Sequence, residues 1–122
     1  MPDPRTRRQA RERALQFLFG LEFTGEAWQD AVCGFWEESP AKPPVREYAE
    51  VLIEGVCTNR ELLDAQISRA LANWTPERIG AIERSLLRIG LYEMRHCDDV
   101  PPTVAINEAI EVAKRFGAEE AP

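Results

Sequence analysis

Near the start of the chain the apolar residues Ala10, Ala14, Phe17, Leu18 and Leu21 recur three and four positions apart. That spacing lines one face of an α-helix and predicts a first helix over residues 5–21. The stretch 23–25 breaks it, with Gly25 as the stop signal. Trp28, Val32, Phe35 and Trp36 repeat the pattern and predict a second helix over residues 26–38. Pro40, Pro43 and Pro44 then punctuate a loop, because proline inside a helix lacks the N–H and clashes with the preceding turn. A third helix is expected to open at 44 or 45 and to carry Tyr48, Val51, Leu52, Gly55 and Val56, with Gly55 as a point of close approach for another helix.

Thr58 or Asn59 can cap a fourth helix over residues 58–71, and Glu61 stands where a carboxylate reaches back to a Thr58 cap. The sharpest boundary is Thr75–Pro76–Glu77: a cap, a proline at the first helical position, and an acid in the first turn. The helix predicted from there, residues 76–96, is apolar on two sides, Ile79, Ile82, Leu86 and Ile89 on one and Leu87, Leu91 and Met94 on another. Such a helix belongs in the middle of a bundle. Residues 97–102 end it. A last helix over 103–117 carries the stripe Ile106, Ala109, Ile110, Ala113 and Phe116 and stops at Gly117. With no strand pattern anywhere, the expected fold is all-α: six helices with short connections in a compact helical bundle, one domain spanning residues 1–122.

Composition agrees. A chain of 122 residues can bury roughly two-thirds of its unfolded surface as one domain. No apolar run approaches the ~18 residues of a membrane span, and the N-terminus lacks the apolar stretch and cleavage site of a secretory signal. A transit peptide shares the arginine content, but this segment is poor in serine and runs directly into core helix. Cys33, Cys57 and Cys97 have neither paired nor metal-binding spacing and read as reduced thiols of a cytoplasmic protein.

Charge changes the picture. The chain carries a net −6, yet residues 1–20 hold Arg5, Arg7, Arg8, Arg11 and Arg13 against Asp3 and Glu12, a local +3. A basic arm on an acidic body suits a local anion site, with the body tuned for solubility or a basic protein partner. Nothing argues for catalysis: there is no phosphate loop, nucleophile elbow or metalloprotease motif, and His96 beside Cys97 lacks an orienting third group. Glu108 and Glu111 face away from the last stripe and read as a solvated face. No metal or cofactor is implied.

Around the first helix, Arg8 and Phe19 lie about 20° apart, with Arg11 and Leu15 close to the same line and Arg7 flanking them. Arginine grips phosphates by paired hydrogen bonds, and an exposed ring offers a stacking surface for an unpaired base. The spacing leaves two readings open: a face for single-stranded RNA, or Leu15 and Phe19 widening the buried stripe while the arginines are solvated. Arg84 and Arg88, one turn apart, either extend the basic patch or pair with acids such as Glu83 or Glu77.

Three stretches, "RRQARERALQFLF" (7–19), "IERSLLRIGLYEM" (82–94) and "DVPPTVAINEAIEVAKRFGAEE" (99–120), resemble the NusB family of transcription antitermination factors in order and spacing. The resemblance covers nearly the whole chain; residues 25–44 contribute little to it. It implies two three-helix sub-bundles, over residues 5–58 and 59–122. It further implies a non-catalytic factor that binds boxA-type single-stranded RNA jointly with the ribosomal protein NusE, within the RNA polymerase antitermination complex, in ribosomal RNA transcription. Carried over by position, Arg7, Arg8, Arg11, Phe19, Arg88 and Glu120 are the implied RNA-binding residues, and Glu83 the implied NusE contact. Gln9 replaces a third consecutive basic residue, and Phe19 stands where tyrosine is common. The family pattern continues after "GAEE" into a further helix, whereas this sequence stops at Pro122. Without that helix the stripe from Ile106 to Phe116 loses a packing partner and exposes an apolar groove, and either a homodimer or low stability is expected. The alternative implied function is the RNA-targeting module of a ribosomal RNA cytosine methyltransferase.

Overall fold

The computed structural model describes residues 2–70 and 80–96, and the described residues form five α-helices and no strand. The first, α1 (Pro4–Thr24), begins where Asp3 accepts the Thr6 backbone N–H at 2.8 Å and Pro4 takes the first helical position. It ends at Gly25, whose φ of 71° is the left-handed conformation that glycine adopts without a Cβ penalty. The helix therefore outruns the expected 5–21 at both ends, and Phe23 is part of it rather than of a break.

The next helix, α2 (Trp28–Glu38), closes with the Ser39 N–H donating to the Phe35 carbonyl at 2.8 Å. Helix α3 (Pro43–Thr58) starts earlier than expected, with Pro43 and Pro44 both in its first turn. First-turn N–H groups have no intrahelical acceptor, so two prolines cost the helix nothing there. At its other end the Thr58 hydroxyl donates to the Glu54 carbonyl at 2.7 Å, and the Asn59 amide donates to the Gly55 carbonyl at 2.8 Å. Thr58 thus finishes α3 rather than capping the following helix α4 (Arg60–Ala70), and the alternative Asn59 stands just before α4, its carbonyl accepting the Leu63 N–H at 2.9 Å.

Helix α5 (Ala81–His96) opens with the Gly80 carbonyl accepting the Arg84 N–H at 2.9 Å. The expected start at Thr75–Pro76 lies outside the described residues. So do the last expected helix over 103–117, the Ile106–Phe116 stripe behind the homodimer expectation, Cys97 and Glu120.

The described helices share one core. Helix α1 packs chiefly against α3 and α5, and α5 also packs against α4 and α3. Ala10, Ala14, Phe17 and Leu18 of α1 meet Leu52, Ile53 and Val56 of α3 and Leu86 and Ile89 of α5, all buried. Phe17 places its edge on Phe35 of α2 with centroids 5.3 Å apart. Each fully buried Leu, Ile or Phe of this set contributes about 1.5–3 kcal/mol relative to exposure. Gly55 is the expected point of close approach: the Tyr92 ring of α5 occupies the space that a side chain at position 55 would need.

Candidate nucleic-acid interface

Helix α1 presents Arg5 and Arg8 to solvent near its start, with Arg7 half-buried beside them. Arg7 Nε is shielded from water and has no hydrogen-bond partner. Such a donor carries an unrelieved desolvation cost. Eleven residues further along, roughly 16 Å at the helical rise, Phe19 is half-buried on nearly the same line as Arg8. One turn beyond, Phe23 is 71% exposed and meets Phe19 edge-on, centroids 5.0 Å apart and planes at 67°. Exposed guanidinium groups thus stand near the start of α1 and an aromatic pair near its end, with Leu15 buried between them. Phe23 was not among the candidate residues of the sequence; its i, i+4 spacing from Phe19 carries the signal only once the helix is known to reach Thr24.

Arg11 does not share that exposure. It is 5% exposed, and Leu15 is 1% exposed, because α5 covers this flank of α1. The Arg11 guanidinium forks onto Glu93, Nε to Oε1 at 2.6 Å and Nη2 to Oε2 at 2.9 Å. The Tyr48 hydroxyl donates to the same Oε2 at 2.7 Å. One carboxylate therefore ties α1, α3 and α5 together, with charge-assisted bonds in the strong geometry of a paired fork. The expectation of Arg11 as an exposed cation is corrected: its guanidinium is buried and paired with Glu93.

Arg88 is corrected in the same way. It is 4% exposed and forks onto Asp64 of α4, Nε to Oδ1 at 2.7 Å and Nη2 to Oδ2 at 2.9 Å. Its Nη1 lies 3.6 Å from Glu22 of α1. Arg84 pairs with Glu22 at 2.7 Å, and Arg60 approaches the same carboxylate at 3.9 Å. The acids that hold this pair of arginines are thus Glu22 and Asp64, from other helices, rather than Glu83. Glu77 and Glu120 lie outside the described residues. Glu83 is exposed on the first turn of α5. Arg13, unassigned by the sequence, donates to the Ser39 carbonyl at 2.6 Å and pins the α2–α3 loop to α1.

Around the Glu22 cluster is a cleft of about 880 Å³, bordered by Phe23, Trp28, Cys57 and Arg84. Burial pushes the Cys57 thiol up to about 11, so it stays protonated at neutral pH; Cys33 is exposed. Among the described residues no group of His, Cys, Asp and Glu could hold a metal ion, and no helix is long and apolar enough to cross a membrane.

Residues 8–122 match the family model described as the NusB family. The chain is 40% identical over 114 residues to the transcription antitermination protein NusB of Sorangium cellulosum, an alignment covering 93% of this chain and 81% of the relative. Among solved structures it is similar to NusB of T. maritima, with TM-score 0.79, 33% identity, and coverage of 95% of this chain and 80% of that one. It is also similar to a chain in the crystal structure of the antitermination factors NusB and NusE in complex with double-stranded RNA. There the TM-score is 0.80 and the identity 25%, over 93% of this chain and 85% of the other.

Proposed function

The chain belongs to the NusB family of transcription antitermination factors, and on that footing we propose that it binds boxA-type RNA jointly with ribosomal protein NusE, supporting ribosomal RNA transcription without catalysing any reaction. The observation that carries the reading is α1 itself, with exposed guanidinium groups near its start and the Phe19–Phe23 pair near its end. Arg8 grips the phosphate backbone. A phosphate oxygen beside Arg7 relieves its buried, unpartnered Nε. Phe19 and Phe23 take unpaired bases, which a double helix keeps stacked inside. Arg11 and Arg88 serve the interface indirectly, by fixing α1 against α5 and α5 against α4.

The exposed acid Glu83 fits contact with a basic ribosomal protein, and the similar solved complex with NusE supports that partner and RNA as a ligand. The curated relatives are named as transcription antitermination proteins, which favours action within the RNA polymerase antitermination complex over the methyltransferase-module reading.

The test is a titration of single-stranded boxA-type RNA, and of the same sequence as a duplex, with and without NusE, on wild type and Arg8→Ala. Two or three neutralised phosphates give a slope of roughly −1.4 to −2.1 in log affinity against log salt. Arg8→Ala is expected to flatten it by about 0.7. A response flat in salt overturns the phosphate assignment, and preference for the duplex overturns the base-stacking one.

A further inference from the structure

We propose that the RNA track does not end at Arg8 but turns around the start of α1 into a second, cationic cleft, where Arg5 and Lys42 hold backbone phosphates from opposite walls. The inference rests on the RNA-binding reading above and extends it to residues that lie outside the family-matched arginines. The cleft, about 550 Å³, lies between the first turns of α1 and the loop that leads into α3. Arg5, Arg13 and Lys42 line it, against the carboxylates of Asp3 and Glu12.

These cations are arranged unlike the interior ones. Arg11, Arg84 and Arg88 each close on a carboxylate. Arg5 and Lys42 are exposed, and neither has a carboxylate within ion-pairing distance among the described residues. Arg13 donates to the Ser39 carbonyl rather than to an acid, so it fixes the wall carrying Lys42 while keeping its charge unneutralised. Asp3 is turned onto the helix start, accepting the Thr6 N–H at 2.8 Å. That bond, with help from Arg5, holds its carboxyl below the usual carboxylate range. Lys42 precedes α3, whose positive end has no side-chain cap to offset it, so helix dipole and ammonium act in the same sense.

Continuity argues for RNA as the occupant. Arg5 stands about 60° around the helix from Arg8, on the side facing the cleft, so one strand can reach both guanidinium groups. Its ligand there is the phosphodiester backbone, because the cations offered are two guanidinium groups and an ammonium, with no aromatic side chain among the lining residues.

The experiment is the salt dependence of boxA-type RNA binding, in the presence of NusE, for wild type, Arg5→Gln, Lys42→Gln, the double variant, and Arg69→Gln as an exposed control on α4. Each single change at the cleft is expected to make the slope shallower by about 0.7, and the double change by about 1.4, with the control unchanged. Melting temperatures should match wild type, since both side chains are exposed. A wild type that binds no RNA sinks the functional reading and the cleft together. A wild type that binds, with the double variant keeping the wild-type slope, overturns the cleft alone.

Discussion

Arg11 and Glu93 stand 82 residues apart in the chain and meet in the core as a two-bond fork of 2.6 and 2.9 Å. A lone charge left in that position is far costlier than the pair is favourable. Arg11→Ala is therefore expected to lower unfolding free energy by about 3–5 kcal/mol, and Arg11→Lys to restore little of it, since an ammonium cannot reproduce the fork. Arg8→Ala, on the exposed side, should stay within about 0.5 kcal/mol of wild type. Urea unfolding curves separate the two. A stable Arg11→Ala protein that loses only RNA binding would return Arg11 to the surface role.

The Phe19–Phe23 pair makes the opposite kind of prediction, a binding loss without a folding loss. Phe23→Ala should leave the melting curve in place and weaken single-stranded RNA binding by about 5- to 150-fold, the range of about 1–3 kcal/mol for one stacked base. Phe23→Leu keeps the apolar bulk and loses the flat ring, so it should resemble Phe23→Ala in binding. Equal affinity of all three proteins excludes Phe23 from the interface.

Gly55 lies under the Tyr92 ring, where an added methyl group has no room. Helix propensity alone favours alanine there by about 1 kcal/mol, while overpacking typically costs about 1–3 kcal/mol. Gly55→Ala should therefore destabilise the protein. Pairing it with Tyr92→Leu should recover part of the loss, a coupling that a double-mutant cycle measures.

Cys57 contributes a pH dependence whose sign is fixed by burial. Its folded-state value of about 11 lies above the ordinary 9.0, so between those values the unfolded chain loses the proton first. Stability from this thiol is full below about pH 9 and declines as pH rises through about 11. Urea unfolding from pH 8 to 11 should show a steeper decline for wild type than for Cys57→Ala. Parallel curves remove the thiol as the cause.

The helices were legible because apolar spacing and end signals act locally. Gly25 stopped α1 where the pattern said, and Gly55 received the close neighbour its position in α3 implied. Boundaries shifted where a signal served the other side of a junction. Thr58 and Asn59 are good caps by composition, yet their donors satisfy the last carbonyls of α3. The site was legible in part. Arg8 and Phe19 share a line that helical phase alone reveals. The fate of Arg11 depends on Glu93, and that of Arg88 on Asp64 and Glu22, partners that no local spacing announces. A basic stretch read one residue at a time counts every arginine as surface charge. Here Arg11 of α1 is neutralised inside by Glu93, while Arg13 is held in place by the Ser39 carbonyl.

Glu22 is a single carboxylate answering to guanidinium groups from α4 and α5. That arrangement imposes an order on how the sequence can drift. Arg60, with its side chain 58% exposed, can be replaced first at small loss. Arg84 can follow, because Arg88 still has Asp64. Losing Glu22 first is the costlier order, since it removes the carboxylate that Arg84 meets at 2.7 Å and that Arg88 and Arg60 approach. The history of this corner is therefore directional: among descendants, change at position 22 should be found where positions 60 and 84 have already changed, while Arg88 stays with Asp64.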